Sequence, residues 1–256
     1  MIFKTVSYHL SDGVAVLTLN RPEVMNALTS QMRAEITEAV LLAGTSARVL
    51  VITGAGRGFC SGQDLTDTKA NADIEQILRD EYEPMISALY NCPIPTISAV
   101  NGVAAGAGAN LALAADVVIA SEVASFIQAF TRIGLMPDAG GTYWLPRQIG
   151  MARAMGAMLF ADAIPARQAA DWGMIYEAVA ADGFEALWRS RAAALARGPT
   201  LAYRATKAAL RVSQSNTVGA QLALEARLQA GCAETEDFKE GLAAFAQKRA
   251  PEFRGK

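Results

Sequence analysis

Two segments of this 256-residue chain carry residue types that can gather backbone N–H groups around an anion. The first is Gly54-Ala-Gly-Arg-Gly-Phe-Cys-Ser-Gly-Gln-Asp-Leu65; the second is Ala99-Val-Asn-Gly-Val-Ala-Ala-Gly-Ala-Gly-Ala-Asn110. Glycine permits positive φ and close backbone approach, so the first loop can turn successive N–H groups toward one point. In the second, small residues lead into a helix expected to begin near Ala107, and a helix start presents unpaired N–H groups and a partial positive charge. Brought together, the two loops would make a two-donor oxyanion hole, in which one donor is typically worth about 10²–10³ in rate. Each loop alone also has a plainer explanation, the close packing of a helix on a sheet. Neither is a dinucleotide fingerprint, because Gly54-x-Gly56 runs on to Phe59 where a third glycine would belong.

Other reactive residue types lead nowhere so specific. Gly58-Phe-Cys-Ser-Gly62 lacks the spacing of a serine elbow, and the single histidine, His9, lies far from it in sequence. The three cysteines, Cys60, Cys92 and Cys232, show no ligand-like pairing, so no metal site is expected and free thiols are the plain reading. Asp64 is expected to brace its loop and Asp116 to bond backbone at the start of a strand. Asp138 follows Pro137, a pair common in turns.

The elements that must position these residues follow from periodicity. Residues 3–9 and 14–19 read as strands joined by Ser11-Asp12-Gly13. Residues 29–42 read as a helix capped by Thr29 or Ser30, with Met32, Ile36 and Val40 stacked on one face. A strand is expected over 48–53, then the glycine-rich loop, then a helix over 73–90 interrupted near Pro84. Short buried strands are expected over 95–100 and 116–120, flanking a helix over 106–115. Strands alternating with helices define an α/β class. After Gly198-Pro199 the chain reads as helix to Gln247, with Phe238, Leu242 and Phe245 on one apolar face. That divides it into a core over 1–198 and a helical region over 199–256, the latter placed to pack on a neighbouring subunit.

Composition narrows the partners. Hydrophobic residues make up 52% and charged residues 19%, which suits a folded soluble protein. A net charge of −2 gives no electrostatic reason to expect nucleic acid or an anionic membrane. The apolar stretch 103–120 contains Asn110 and Asp116, whereas a membrane span needs about 20 mostly apolar residues. The first residues lack the pattern of a secretory signal, so a cytoplasmic location is expected.

Taken together and in order, the motifs resemble those of the crotonase (enoyl-CoA hydratase/isomerase) family. They are Leu19-Asn-Arg-Pro22 with Asn26-Ala-Leu28, the two loops above, and Gly134-Leu-Met-Pro-Asp-Ala-Gly-Gly-Thr142 before Leu145-Pro146. The resemblance runs from about Val14 to Phe253. It implies a spiral of β-β-α turns with a C-terminal helical region that makes trimers, often paired into hexamers. It implies an acyl-CoA substrate and no separate cofactor, coenzyme A being part of the substrate. By position it places the oxyanion-hole amides at Gln63 and Ala107. It places coenzyme A contacts at Val24, Met25, Asn26, Gly62, Gln63, Asp64 and Leu65, and at Phe245 and Lys248 of the last helix.

The same resemblance separates reactions. Hydratases of the family use two glutamates to position and activate water, and here those positions hold Asn110 and Phe130. Asp138 remains, where hydratases commonly have glycine. One carboxylate suits moving a proton within the substrate, so isomerisation is expected rather than hydration. Asp138 would be the general acid/base, a role worth about 10²–10⁴ in rate. With Phe130 and Leu135 nearby in sequence, apolar surroundings would raise its pKa. The finer match, including Ala129-Phe130 and Trp172-Gly-Met, points to the branch of the family that isomerises ring-epoxide thioesters in phenylacetate breakdown. A general enoyl-CoA hydratase/isomerase of fatty-acid type and a non-catalytic acyl-CoA-binding subunit remain as alternatives. Arg132, Tyr143 and Trp144 are further candidates for the acyl pocket.

Overall fold

A computed structural model describes residues 3–67 and 73–256. The chain opens with an antiparallel hairpin of β1 (Val6–Ser11) and β2 (Val14–Leu19). Helix α1 (Ser30–Ser46) follows, with the Thr29 hydroxyl accepting from the Met32 N–H at its start.

Three strand-strand-helix turns come next. The first has β3 (Val49–Gly54), β4 (Gly58–Cys60) and a helix in two parts, α2 (Ile74–Ile77) and α3 (Glu83–Tyr90), joined through a π turn over Leu78–Tyr82. The second has β5 (Thr96–Val100), β6 (Val103–Ala105) and α4 (Ala107–Leu113). The third has β7 (Val117–Ser121), β8 (Ser125–Ile127) and α5 (Gly141–Phe160). Then β9 (Ile164–Pro165), α6 (Ala166–Asp171), β10 (Glu177–Val179) and α7 (Ala181–Ala196) lead to α8 (Thr200–Ser213), α9 (Val218–Ala233) and α10 (Glu236–Gln247).

Each turn gives its first strand to one sheet and its second to another. The six-stranded sheet runs β1-β2-β3-β5-β7-β10 and the four-stranded sheet runs β4-β6-β8-β9. Past the first hairpin the large sheet is parallel, which buries both faces and explains the unbroken apolar run of β3. Alternation sends Val49 and Val51 toward Phe184 and Trp188 of α7, and Leu50 and Ile52 into the larger core.

One expectation needs correction and another gains detail. Residues 54–62 are not all loop: Gly58–Cys60 is a buried strand, too short to announce itself by periodicity, and β6, β8 and β9 are similarly brief. The break in the helix over 73–90 falls near Pro84, as expected, and takes the form of the π turn just before it. That proline sits in the first turn of α3, where its missing N–H is tolerated. Met32, Ile36 and Val40 are buried as expected, whereas Phe245 is 85% exposed and packs into no core of the single chain. Among the described residues no helix is long and apolar enough to cross a membrane.

Candidate active site

The two glycine-rich loops meet at the mouth of a cavity of about 230 Å³. Their contact depends on a residue without a side chain. Gly62 has φ +93°, and a Cβ placed on it would lie 2.8 Å from the Ala105 carbonyl oxygen and 3.4 Å from the Ala107 nitrogen. Leu28 forms a parallel bridge with Gln63: its N–H donates to the Gly62 carbonyl at 2.7 Å, and its carbonyl accepts from Asp64 at 3.0 Å. In such a bridge the middle residue's own N–H points away from the partner strand. The Gln63 N–H is therefore directed to the side opposite Leu28, and the Ala107 nitrogen heads α4 beside it. Among the described residues, neither N–H has a protein acceptor.

The first loop is held by side chains that face inward. Asn26 is fully buried; its oxygen accepts from the Arg21 N–H, and its amide donates to the carbonyls of Ala55, Gly58 and Phe59 at 2.9–3.0 Å. Asp64 accepts from the Thr66 hydroxyl at 2.6 Å and pairs with Arg21 at 2.9 Å. The Thr66 bond, with help from Arg21, outweighs burial and holds the Asp64 carboxyl below the usual carboxylate range. The side chains of Asn26 and Asp64 are thus occupied in holding the loop, as expected for Asp64. Val24 and Leu65 are exposed at the surface, and Leu65 also lines the cavity.

Asp138 lies at the cavity with Phe130 and Leu135. Its Oδ1 is buried with no hydrogen-bond partner, and burial pushes its carboxyl up to about 6. Among the described lining residues it is the only carboxyl. Asn110, fully buried on α4, donates to the Asp138 carbonyl oxygen at 2.7 Å.

The far wall was not legible in the sequence. It comprises Ile74, Ile77, Leu78 and Tyr82, carried by α2 and the π turn. A π turn inserts an extra residue into the helix and is frequent at functional sites. The Tyr82 hydroxyl donates to Gln63 Oε1, which also accepts from Arg33 at 2.7 Å. Arg33 is fully buried and is neutralised by Glu81 of the same π turn, at 2.9 and 2.5 Å. Burial raises the Tyr82 phenol well above its ordinary value, and pushes the Cys60 thiol up to about 12. An arginine one residue after a stacked methionine on an amphipathic helix was the available signal for this cluster.

Other candidates fall elsewhere. Tyr143 and Trp144 stack with Tyr90 outside this cavity, and Arg132 donates to the Ala161 carbonyl at 2.5 Å. Phe245 and Lys248 do not line the cavity in the single chain. Asp116 accepts from the Thr96 N–H and hydroxyl and pairs with Lys207 and Arg211. Among the described residues no cluster of histidine, cysteine or acidic side chains could hold a metal.

Fold and sequence together define the class. The chain belongs to the enoyl-CoA hydratase/isomerase (crotonase) family, whose model matches residues 9–256. A Rhodobacter capsulatus protein named probable enoyl-CoA hydratase is 59% identical over 257 residues, covering 100% of both chains. The 1,2-epoxyphenylacetyl-CoA isomerase of Escherichia coli is 42% identical over 255 residues, covering 97% of each. The crystal structure of an enoyl-CoA hydratase from Bacillus anthracis matches with a TM-score of 0.93 at 30% identity, covering 99% of this chain and 100% of that one.

Proposed function

We propose that this protein is an acyl-CoA isomerase in which Asp138 moves a proton and the N–H groups of Gln63 and Ala107 hold the thioester oxygen. The observation that carries the reading is the lone, unpaired and desolvated carboxyl in a cavity otherwise lined by apolar and neutral groups. With a 3-enoyl thioester, the Asp138 carboxylate removes a proton from C2. The charge passes to the thioester oxygen between the two amides, and the carboxylic acid so formed returns the proton to C4. A raised pKa strengthens the base and still leaves it ionised at neutral pH.

The acyl group favoured is a ring-epoxide phenylacetyl thioester, whose conversion to an oxepin begins with the same α-proton removal. The Escherichia coli isomerase supports that choice, and so does the apolar wall of Ile74, Ile77, Leu78 and Phe130. The nucleotide end of coenzyme A would pass Val24, Met25 and Leu65. Phe245 and Lys248 would contribute from the helical region in a trimer or a dimer of trimers, in the cytoplasm. Hydration is the second reading, favoured by the name of the Rhodobacter relative.

One set of assays separates them. The purified chain is given a ring-epoxide phenylacetyl thioester, a linear 3-enoyl-CoA and a trans-2-enoyl-CoA, alongside Asp138→Asn. The expected result is turnover of the first two, weak hydration of the third, and loss of about 10²–10⁴ in both isomerisations on Asp138→Asn with folding intact. Hydration as the fastest reaction would favour the second reading. No turnover of any of the three would indicate a binding subunit.

A further inference from the structure

We infer that Asn110 and Gln128 form a positioning device for Asp138, a buried amide pair that fixes the main chain of the residue whose carboxyl enters the cavity. The inference rests on the general-base reading of Asp138. Three layers of the spiral meet here: Asn110 comes from α4, Gln128 follows β8, and Asp138 precedes α5. Asn110 is 0% and Gln128 1% exposed. Gln128 Nε2 donates to Asn110 Oδ1 at 2.8 Å, and Asn110 Nδ2 donates to the Asp138 carbonyl at 2.7 Å. The first bond sets the orientation of the second. With Gln128 donating to its oxygen, Asn110 must turn its NH₂ to the carbonyl.

That carbonyl also accepts from the Gly141 N–H at 2.9 Å, so the peptide after Asp138 is held from two sides. It joins a strained turn, since Ala139 sits at φ +47°, a left-handed conformation that an alanine keeps only when its surroundings impose it. The carboxyl itself has no partner at Oδ1 to aim it. Its direction therefore depends on the backbone, and Asn110 is the side chain that grips that backbone. A glutamate at 110 could not donate this bond when ionised.

The test compares Asn110→Ala, Gln128→Leu and Asp138→Asn in the full chain by kcat, KM and the pH dependence of kcat for the thioester turned over fastest, with thermal unfolding alongside. Asn110→Ala is expected to lower kcat by a factor on the order of 10², as a misplaced catalytic group does, with KM little changed. The acidic limb expected near pH 6 in the native protein should move down in this variant as water reaches the loosened carboxyl. Gln128→Leu, which leaves Asn110 in place, should show the same changes to a smaller extent, and it carries the comparison if Asn110→Ala does not fold. Unchanged kcat and pH limb with only a lower unfolding temperature would overturn the positioning role. If Asp138→Asn keeps its rate, the general-base reading fails instead, and the two failures are distinct.

Discussion

Asp64 lies between two residues that line the cavity, Gln63 and Leu65, and Asp138 lines it directly, yet the two carboxyls are treated in opposite ways. The Asp64 carboxyl accepts from the Thr66 hydroxyl and N–H and pairs with Arg21, and these contacts lower its pKa. Asp138 has a buried oxygen with no partner, and burial raises its pKa to about 6. A paired carboxylate is a weak base and a good brace. An unpaired, desolvated one is a poor brace and a strong base. On the proposed reading, the difference gives structure to the first loop and proton chemistry to the turn before α5, although both residues are aspartates in loops bordering the same space.

The largest effect that sharpens this contrast is expected at Ala107, which lines the same cavity and whose backbone N–H is the proposed second donor to the thioester oxygen. As the first residue of α4 it occupies a position where helices accept proline, so Ala107→Pro removes one N–H with little harm to the helix. A fall of about 10²–10³ in kcat, read by steady-state kinetics, is expected if that N–H stabilises the enolate. Asp64→Ala should act on the fold instead. Losing charge-assisted bonds costs about 1–3 kcal/mol, read as a lower denaturation midpoint at neutral pH. Because the folded pKa of Asp64 is lowered, its contribution is present above the unfolded value of about 4 and is lost as pH falls through the folded value.

Asp138 carries the opposite sign. Its folded pKa of about 6 exceeds its unfolded value, so the fold favours the protonated form, and stability declines as pH rises from about 4 to about 6. Asp138→Asn should therefore stabilise the protein by up to about 3 kcal/mol at neutral pH and by almost nothing below about pH 4, read by denaturation at both pH values. A destabilising Asp138→Asn would break the contrast between the two residues.

Much of this was legible in the sequence, and the misses have physical reasons. β3 and β5 declared themselves because strands buried on both faces must be apolar throughout. The loops declared themselves through Gly62 and the small residues before Ala107, where backbone has to approach backbone. Asp138 was legible through its family position, and Asn110 only as a missing glutamate. Its bond to the Asp138 carbonyl depends on α4 and the turn before α5 meeting in space, which spacing along the chain does not encode. The Arg33, Glu81 and Tyr82 cluster was hidden for the same reason, since a π turn rotates two of its members inward without any marker in composition. The bracing role of Asp64 was expected from the sequence, whereas the three carbonyls gripped by Asn26 depend on chain segments 29 to 33 residues away.

The most direct measurement is the rate of the 3-enoyl to 2-enoyl shift from about pH 4 to about pH 9 in the native protein and in folded Asp138→Asn. The native rate should rise through a single limb near pH 6 to a plateau, and the limb should vanish together with most of the activity in the variant. The same limb persisting in Asp138→Asn, with the rate preserved, would show that another group carries the proton.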